Sequence, residues 1–329
     1  MNAYALPALR WAPRSFGIAP TRWAYLAPLS RWRRGLTWAL AAVWLLDAAL
    51  QYQPYMFTRA FPLEIIAPAG EGGPSWISAP VTWSANLLAS HIVLYNALFA
   101  TVQLVIAIGL ILPATVRIAL AGSIVWSVLV WWLGEGLGGL FAGPVSPVMG
   151  LPGAVIMYAL IALLAWPPRP QPTPRTTSSV ASTGLLGAHG ARATWLLLWS
   201  LFAFEALRPA SRAPGALHDL VAGMSDGEPS WIGAVNRGAA TVLDGRGTEF
   251  SIVLAIVCAL IAASVYFPRL VRAGVVAAVV LALLIWVVGE DFGEIATGTG
   301  TDPNSGLPLA LLALAYWPIQ NMRMSRPTR

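Results

Sequence analysis

The sequence predicts an all-α polytopic integral membrane protein of about eight transmembrane helices, built as two tandem parallel four-helix repeats. Composition, the length of the apolar runs and an internal self-match each lead there. Of 329 residues, 57% are hydrophobic and 10% charged, against about 25% charged in a soluble domain. Mean hydropathy is +0.67, and the apolar runs approach the roughly 17–25 residues needed to cross a bilayer as helix. The 16 tryptophans suit side chains that sit at membrane–water boundaries.

The self-match identifies the repeat. Pro74-Ser75-Trp76-Ile77 returns 155 residues on as Pro229-Ser230-Trp231-Ile232. At the same offset Trp131, Gly134, Glu135 and Gly138 return as Trp286, Gly289, Glu290 and Gly293, and Trp44, Pro54, Pro113, Arg117 and Gly143 return as Trp199, Pro209, Pro268, Arg272 and Gly298. Beyond this, Gly150-Leu151-Pro152 pairs with Gly306-Leu307-Pro308 after a one-residue slip.

The parts then follow in order. Residues 1–34 form a basic cytoplasmic tail, in which Arg10, Arg14 and Arg22 interrupt any signal-peptide core. Residues 35–166 are the first repeat, with apolar segments at 36–53, 92–112, 116–133 and 151–166. Residues 167–192, rich in Pro, Thr, Ser and Arg, read as a flexible cytoplasmic linker. Residues 193–320 are the second repeat, with segments at 193–207, 250–267, 271–288 and 307–320, and 321–329 a cytoplasmic tail.

All 20 basic residues are arginines. With both termini inside, 15 fall on cytoplasmic pieces and five on external loops, as the positive-inside rule requires. This places the chain in a bacterial cytoplasmic (inner) membrane. The net charge of +6 is dispersed, so nucleic acid is not expected as a partner; the lipid bilayer is, with a membrane-protein partner or a second copy as further candidates. Each first external loop carries apolar residues at helical spacing after its Pro-Ser-Trp-Ile, predicting an interfacial helix.

The candidate functional residues come from the register. Glu135 pairs with Glu290, Glu64 with Asp219, and Glu71 with Asp226. Glu135 and Glu290 close the third spans and are followed by glycines, in Gly134-Glu135-Gly136-Leu137-Gly138-Gly139 and Gly289-Glu290-Asp291-Phe292-Gly293. They serve either as acceptors for amides of the glycine turn or as solute- or proton-binding groups. Glu64, Asp219, Glu71 and Asp226 read as solvated loop carboxylates. Asp47 lies inside the first span, where a lipid-facing charge is costly, and is expected to face the bundle interior with Gln51 or an arginine as partner. Glu205 is not its register mate. No span holds an internal histidine, so histidine-paired haem is not expected; Walker, zinc-ligand and nucleophile-elbow patterns are absent, and no metal is assigned. Asp302-Pro303-Asn304-Ser305-Gly306 reads as a turn, with calcium as the minor alternative. The lone Cys258 reads as a small packing residue.

The stretch from Leu104 to Arg117, with Leu112-Pro113-Ala114-Thr115-Val116-Arg117 at its end, resembles the turn between spans two and three of DoxX-type membrane proteins. So do the four-span unit, the basic flank and the long first loop. The Gly-Glu-x-x-Gly exit and the duplication depart from that pattern. Gly298 to Gly306 resembles the ending of a set of duplicated bacterial membrane proteins. The DoxX resemblance implies a quinone- or redox-linked membrane subunit, with quinone as the candidate cofactor. A small-solute or cation transporter with an external acidic pair and a structural subunit of a membrane complex are the competing expectations.

Overall fold

In a computed structural model of the chain, residues 27–142, 146, 148–168, 177–225 and 227–320 are described. Apart from one pair of two-residue strands, their regular structure is helical. The helices are α1 (Ala27–Leu50), α2 (Ser75–Ser90), α3 (Ile92–Ile111), α4 (Val116–Leu133), α5 (Ala154–Ala165), α6 (Gly187–Leu207), α7 (Ala216–Gly223), α8 (Ser230–Leu243), α9 (Gly247–Ser264), α10 (Val271–Leu284) and α11 (Gly306–Leu314).

Four helical segments are long and apolar enough to cross a membrane: Ile92–Ile111, Val116–Leu133, Gly247–Ser264 and Val271–Gly289, the last comprising α10 and the π-helical turn Ile285–Gly289. Their outer faces carry exposed Val, Leu and Ile, such as Val93, Leu94, Val105, Ile118, Val253, Ile256 and Leu260, which suits contact with lipid. α3 stops one residue before Leu112-Pro113 because a residue preceding proline is pushed out of helical geometry.

α5 and α11 are shorter than the expected segments 151–166 and 307–320, at 12 and nine residues. They span only ~18 and ~14 Å. Val155, Met157, Tyr158, Ile161 and Leu164 of α5 and Leu309, Leu312 and Ala313 of α11 are buried, so these helices form the centre of the molecule. α5 packs against α4 and α11 against α10; α5 and α11 also touch each other, and α1 touches both. α1 packs on α3 as α6 packs on α9. The principal core is continuous through these elements.

Two expected boundaries are corrected. Helix α1 begins at Ala27, so residues 27–34 belong to it rather than to the tail. Part of the expected linker is regular structure: β1 (Thr177–Ser178) pairs antiparallel with β2 (Ile319–Gln320), and residues 187–192 are the first turns of α6. This structure has a packing cause. Val180 and Ala181 are buried, and Arg33 donates to Val180 O at 3.3 Å and Thr183 Oγ1 at 2.6 Å. Helices stand where the interfacial helices are expected, as α2 and α8, each preceded by a proline, Pro74 or Pro229. Gly143 and Asp226, and the tails 1–26 and 321–329, lie outside the described residues.

Candidate functional site

The two glycine-rich exits meet the starts of the two short central helices. At the end of α4, Glu135 accepts from the amide of Val155 at 3.3 Å and from that of Ala154. In the second half, Glu290 Oε1 accepts from Ser305 Oγ at 2.5 Å and Oε2 from the amide of Gly306 at 2.8 Å. Each carboxylate therefore sits at a helix N-terminus, where unpaired amides and the helix dipole favour negative charge. The expected partner, an amide of the glycine turn that follows, is corrected: the turn bends the chain so that the carboxylate reaches the next helix.

The supporting contacts recur. Trp131 Nε1 donates to Pro152 O at 2.6 Å, and Trp286 Nε1 to Pro303 O at 2.8 Å. Gly138 packs on Pro152 and Gly293 on Pro303 so closely that neither site has room for a Cβ. These contacts pair Pro152 with Pro303, and so replace the match of Gly150-Leu151-Pro152 with Gly306-Leu307-Pro308. Glycines rather than larger residues stand at these contacts because backbone lies against backbone.

The loops also cross between halves. Val148 O lies against Gly289, leaving no space for a side chain there, and the Gly150 amide faces Glu290. In the other direction, Gln53 Nε2 donates to Gly300 O at 3.3 Å. Gly134 ends α4 with its amide on Val130 O at 2.7 Å.

Asp47 faces the interior as expected and is 1% exposed. Its side-chain partner is Tyr158, whose hydroxyl donates to Oδ1 at 3.3 Å; Gln51 bonds to it only through backbone, at 2.9 Å. Asp302 and Glu135 both lie within electrostatic reach of Asp47, and Asp302 within reach of Glu290. Asp302 is held by the amide of Asn304 at 2.7 Å and by Thr301 Oγ1 at 2.8 Å. The junction thus gathers Asp47, Glu135, Glu290 and Asp302.

The ion pairs among the described residues are Arg208–Glu205 at 3.0 Å and His218–Asp219 at 3.0 Å, so neither involves the junction acids. Burial pushes the Glu135 carboxyl up to about 8, helped by the charge of Asp302 and opposed by the amides of Val155 and Ala154. Burial likewise pushes Glu290 up to about 7 against the hydrogen bonds of Ser305 and Gly306, and raises Asp302. Glu135 Oε2 is buried with no hydrogen-bond donor.

The junction is not symmetric. The residue 155 after Asp47 is Phe202, fully buried, and the Pro152–Pro303 pairing puts Leu151, also fully buried, opposite Asp302. At each of these two positions one half presents an acid where the other presents hydrocarbon, Asp47 in the first half and Asp302 in the second.

Glu64 and Asp219 lie apart from this set. Glu64 is exposed and receives the Tyr55 hydroxyl at 3.4 Å, while Asp219 bonds to its neighbour His218. Glu71 is exposed too. Asp302 and Tyr158 are the functional candidates that sequence reasoning did not select. An acid opposite Leu151 was a usable signal for Asp302, but only in the corrected alignment.

No family model matches the chain, nor does any curated protein or solved structure. The DoxX resemblance therefore rests on the residues that suggested it.

Proposed function

We propose that the chain is a proton-coupled transporter of a small solute, whose proton-binding site is the junction formed by Asp47, Glu135, Asp302 and Glu290. In this reading it is a bacterial inner-membrane protein of eight spanning elements in two parallel four-helix repeats, with both termini cytoplasmic. The short α5 and α11 complete their units in the centre, as discontinuous helices do in transporters built from repeats.

One observation carries the reading: acids from both halves come together, Asp47 and Glu290 buried and Glu135 and Asp302 half-buried, and neither ion pair among the described residues involves them. A buried, unpaired carboxylate is costly, and it lowers that cost by taking a proton. Values of about 8 for Glu135 and about 7 for Glu290 place that exchange near neutral pH. Both residues follow the outer ends of their spans, so in the proposed orientation they exchange with the external side.

Proteoliposomes carrying a pH-sensitive dye test this. An imposed proton gradient drives dye response in the wild-type protein, and Glu135→Gln with Glu290→Gln suppresses it by at least about tenfold, the scale on which loss of a positioned proton-transfer group is felt. A wild-type flux no greater than that of empty vesicles, or an unchanged flux in the double variant, overturns the proposal.

The redox-linked reading suggested by the DoxX resemblance has one observation in its favour. An apolar pocket of about 360 Å3 is lined by residues including Val148, Leu217, Phe250, Leu254, Ile285 and Gly289, the last preceding Glu290 in the chain. Its apolar lining suits an isoprenoid tail. Organic extraction of protein purified from native membrane decides this second reading: co-purifying quinone supports it, and extracts without quinone count against it.

A further inference from the structure

A groove of about 300 Å3 opens where α1 begins, lined by Arg31, Trp32 and Gly35 of α1, Leu311 and Leu314 of α11, and Val180 of the linker. Arg31 precedes Asp47 by 16 residues of continuous helix, or ~24 Å, so the groove and the acid junction lie at opposite ends of α1. A Cβ on Gly35 would meet nothing within 4 Å, which leaves this stretch of α1 open. Among the described residues lining the groove, Arg31 alone is charged.

The charge at this end has one sign. Arg31 and Arg34 are exposed and, three residues apart, are neighbours on the helix surface; neither joins an ion pair among the described residues. Arg33, 2% exposed, turns inward, and its bonds to Val180 O and Thr183 Oγ1 fix the linker segment that lines the groove. No Asp or Glu occurs in residues 1–46, 167–204 or 303–329. The stretches that meet here, and those that continue the chain from them, therefore offer no side-chain carboxylate to neutralise Arg31 and Arg34. The cluster also belongs to one half only, since the residues 155 on from Arg31, Trp32, Arg33 and Arg34 are Leu186, Gly187, Ala188 and His189.

We propose that this groove binds one anionic phospholipid, with an acyl chain against Leu311, Leu314 and Gly35 and the phosphate held by Arg31 and Arg34. An apolar lining with a basic rim matches a molecule that is hydrocarbon at one end and anionic at the other. The guanidinium fork fits phosphate oxygens two at a time. Trp32, 43% exposed, suits the interfacial depth at which headgroup and chain join. Basic pockets between helices on the cytoplasmic side take anionic headgroups in this way. The choice of leaflet rests on the orientation proposed above, in which α1 starts in the cytoplasm; the lipid chemistry does not depend on the proton site. Arg33 is a positioning residue, holding Val180 in place without touching the headgroup.

Native mass spectrometry of the full chain in mild detergent, titrated with phosphatidylglycerol or with phosphatidylcholine of the same acyl chains, tests this. The expected result is one retained phosphatidylglycerol, bound at least about tenfold more tightly than phosphatidylcholine, with each arginine contributing about fivefold. Arg31→Gln with Arg34→Gln brings the two lipids level; both positions are exposed, and an unchanged unfolding midpoint verifies the fold. Gly35→Leu, which fills the groove and leaves the charges in place, lowers retention of both lipids. Glycerol phosphate, the headgroup chemistry without the chains, does not displace the bound lipid. Equal retention of the two lipids by the wild-type protein overturns the proposal, as does a preference that survives in the double variant, unchanged retention in Gly35→Leu, or displacement by glycerol phosphate. The titration involves neither proton flux nor sidedness, so its failure leaves the transport reading and the orientation to their own tests.

Discussion

The hydroxyl of Tyr158 donates to the carboxylate of Asp47 at 3.3 Å, joining the short central helix α5 to α1 in the interior of the molecule. Among the described residues nothing repeats this bond in the second half, where buried Phe202 stands at the position of Asp47. Removing the hydroxyl with Tyr158→Phe strips a buried acid of its side-chain donor. The expected loss is about 1–3 kcal/mol, read as a lower thermal unfolding midpoint in detergent. Asp47→Asn, which keeps a side-chain acceptor for Tyr158, is expected to lose less.

Stability depends on pH through the paired glutamates. Their folded values of about 8 and about 7 lie above the ordinary 4.5, so between those limits the folded chain holds more protons than the unfolded one. Their contribution is complete below about pH 4.5 and declines as pH rises through the folded values. Melting temperatures measured across this interval should fall with rising pH, and the fall should be shallower in Glu135→Gln and Glu290→Gln.

Glycine tolerance separates conformational strain from contact. Gly138 and Gly187 both have positive φ, at 61° and 65°, but a Cβ on Gly138 would enter Pro152 whereas one on Gly187 meets nothing within 4 Å. Gly187→Ala is expected to cost about 1–2 kcal/mol, the left-handed penalty alone. Gly138→Ala adds overpacking of about 1–3 kcal/mol and moves Pro152 away from Trp131. Chemical unfolding of the two variants side by side measures the difference.

Orientation is testable with the single cysteine already present. Cys258 is buried and should not react with a membrane-impermeant maleimide in intact cells. Cysteines placed at exposed Arg117 and Asp244 should behave oppositely. Asp244→Cys should label from outside, and Arg117→Cys only after the membrane is opened. Labelling of both from the same side contradicts the proposed topology.

Much of the helical layout was readable because apolar length and proline placement act locally: Pro113 ends α3 where it must, and Pro74 and Pro229 open α2 and α8. The pairing of Glu135 with Glu290 was readable because Trp131, Gly138 and their counterparts make the same contacts with a following proline. The lengths of α5 and α11 were not. Apolar composition continues through Leu151 and up to Trp317, while helical geometry holds only for Ala154–Ala165 and Gly306–Leu314. Asp302 was hidden for a related reason, since Asp-Pro-Asn-Ser-Gly has the chemistry of an exposed turn, and only tertiary packing carries it to Glu135 and Asp47. The regular structure within the linker likewise depends on distant partners, Arg33 and Ile319, which composition does not reveal.

Difference infrared spectroscopy of the carboxylic-acid band tests the proton-binding account most directly. In the wild-type protein, carboxyls that remain protonated at about pH 6, beyond the ordinary carboxylate range, should ionise with midpoints of about 7 and about 8. Glu290→Gln should remove the first and Glu135→Gln the second. A spectrum with every carboxyl already ionised at about pH 6 would contradict it.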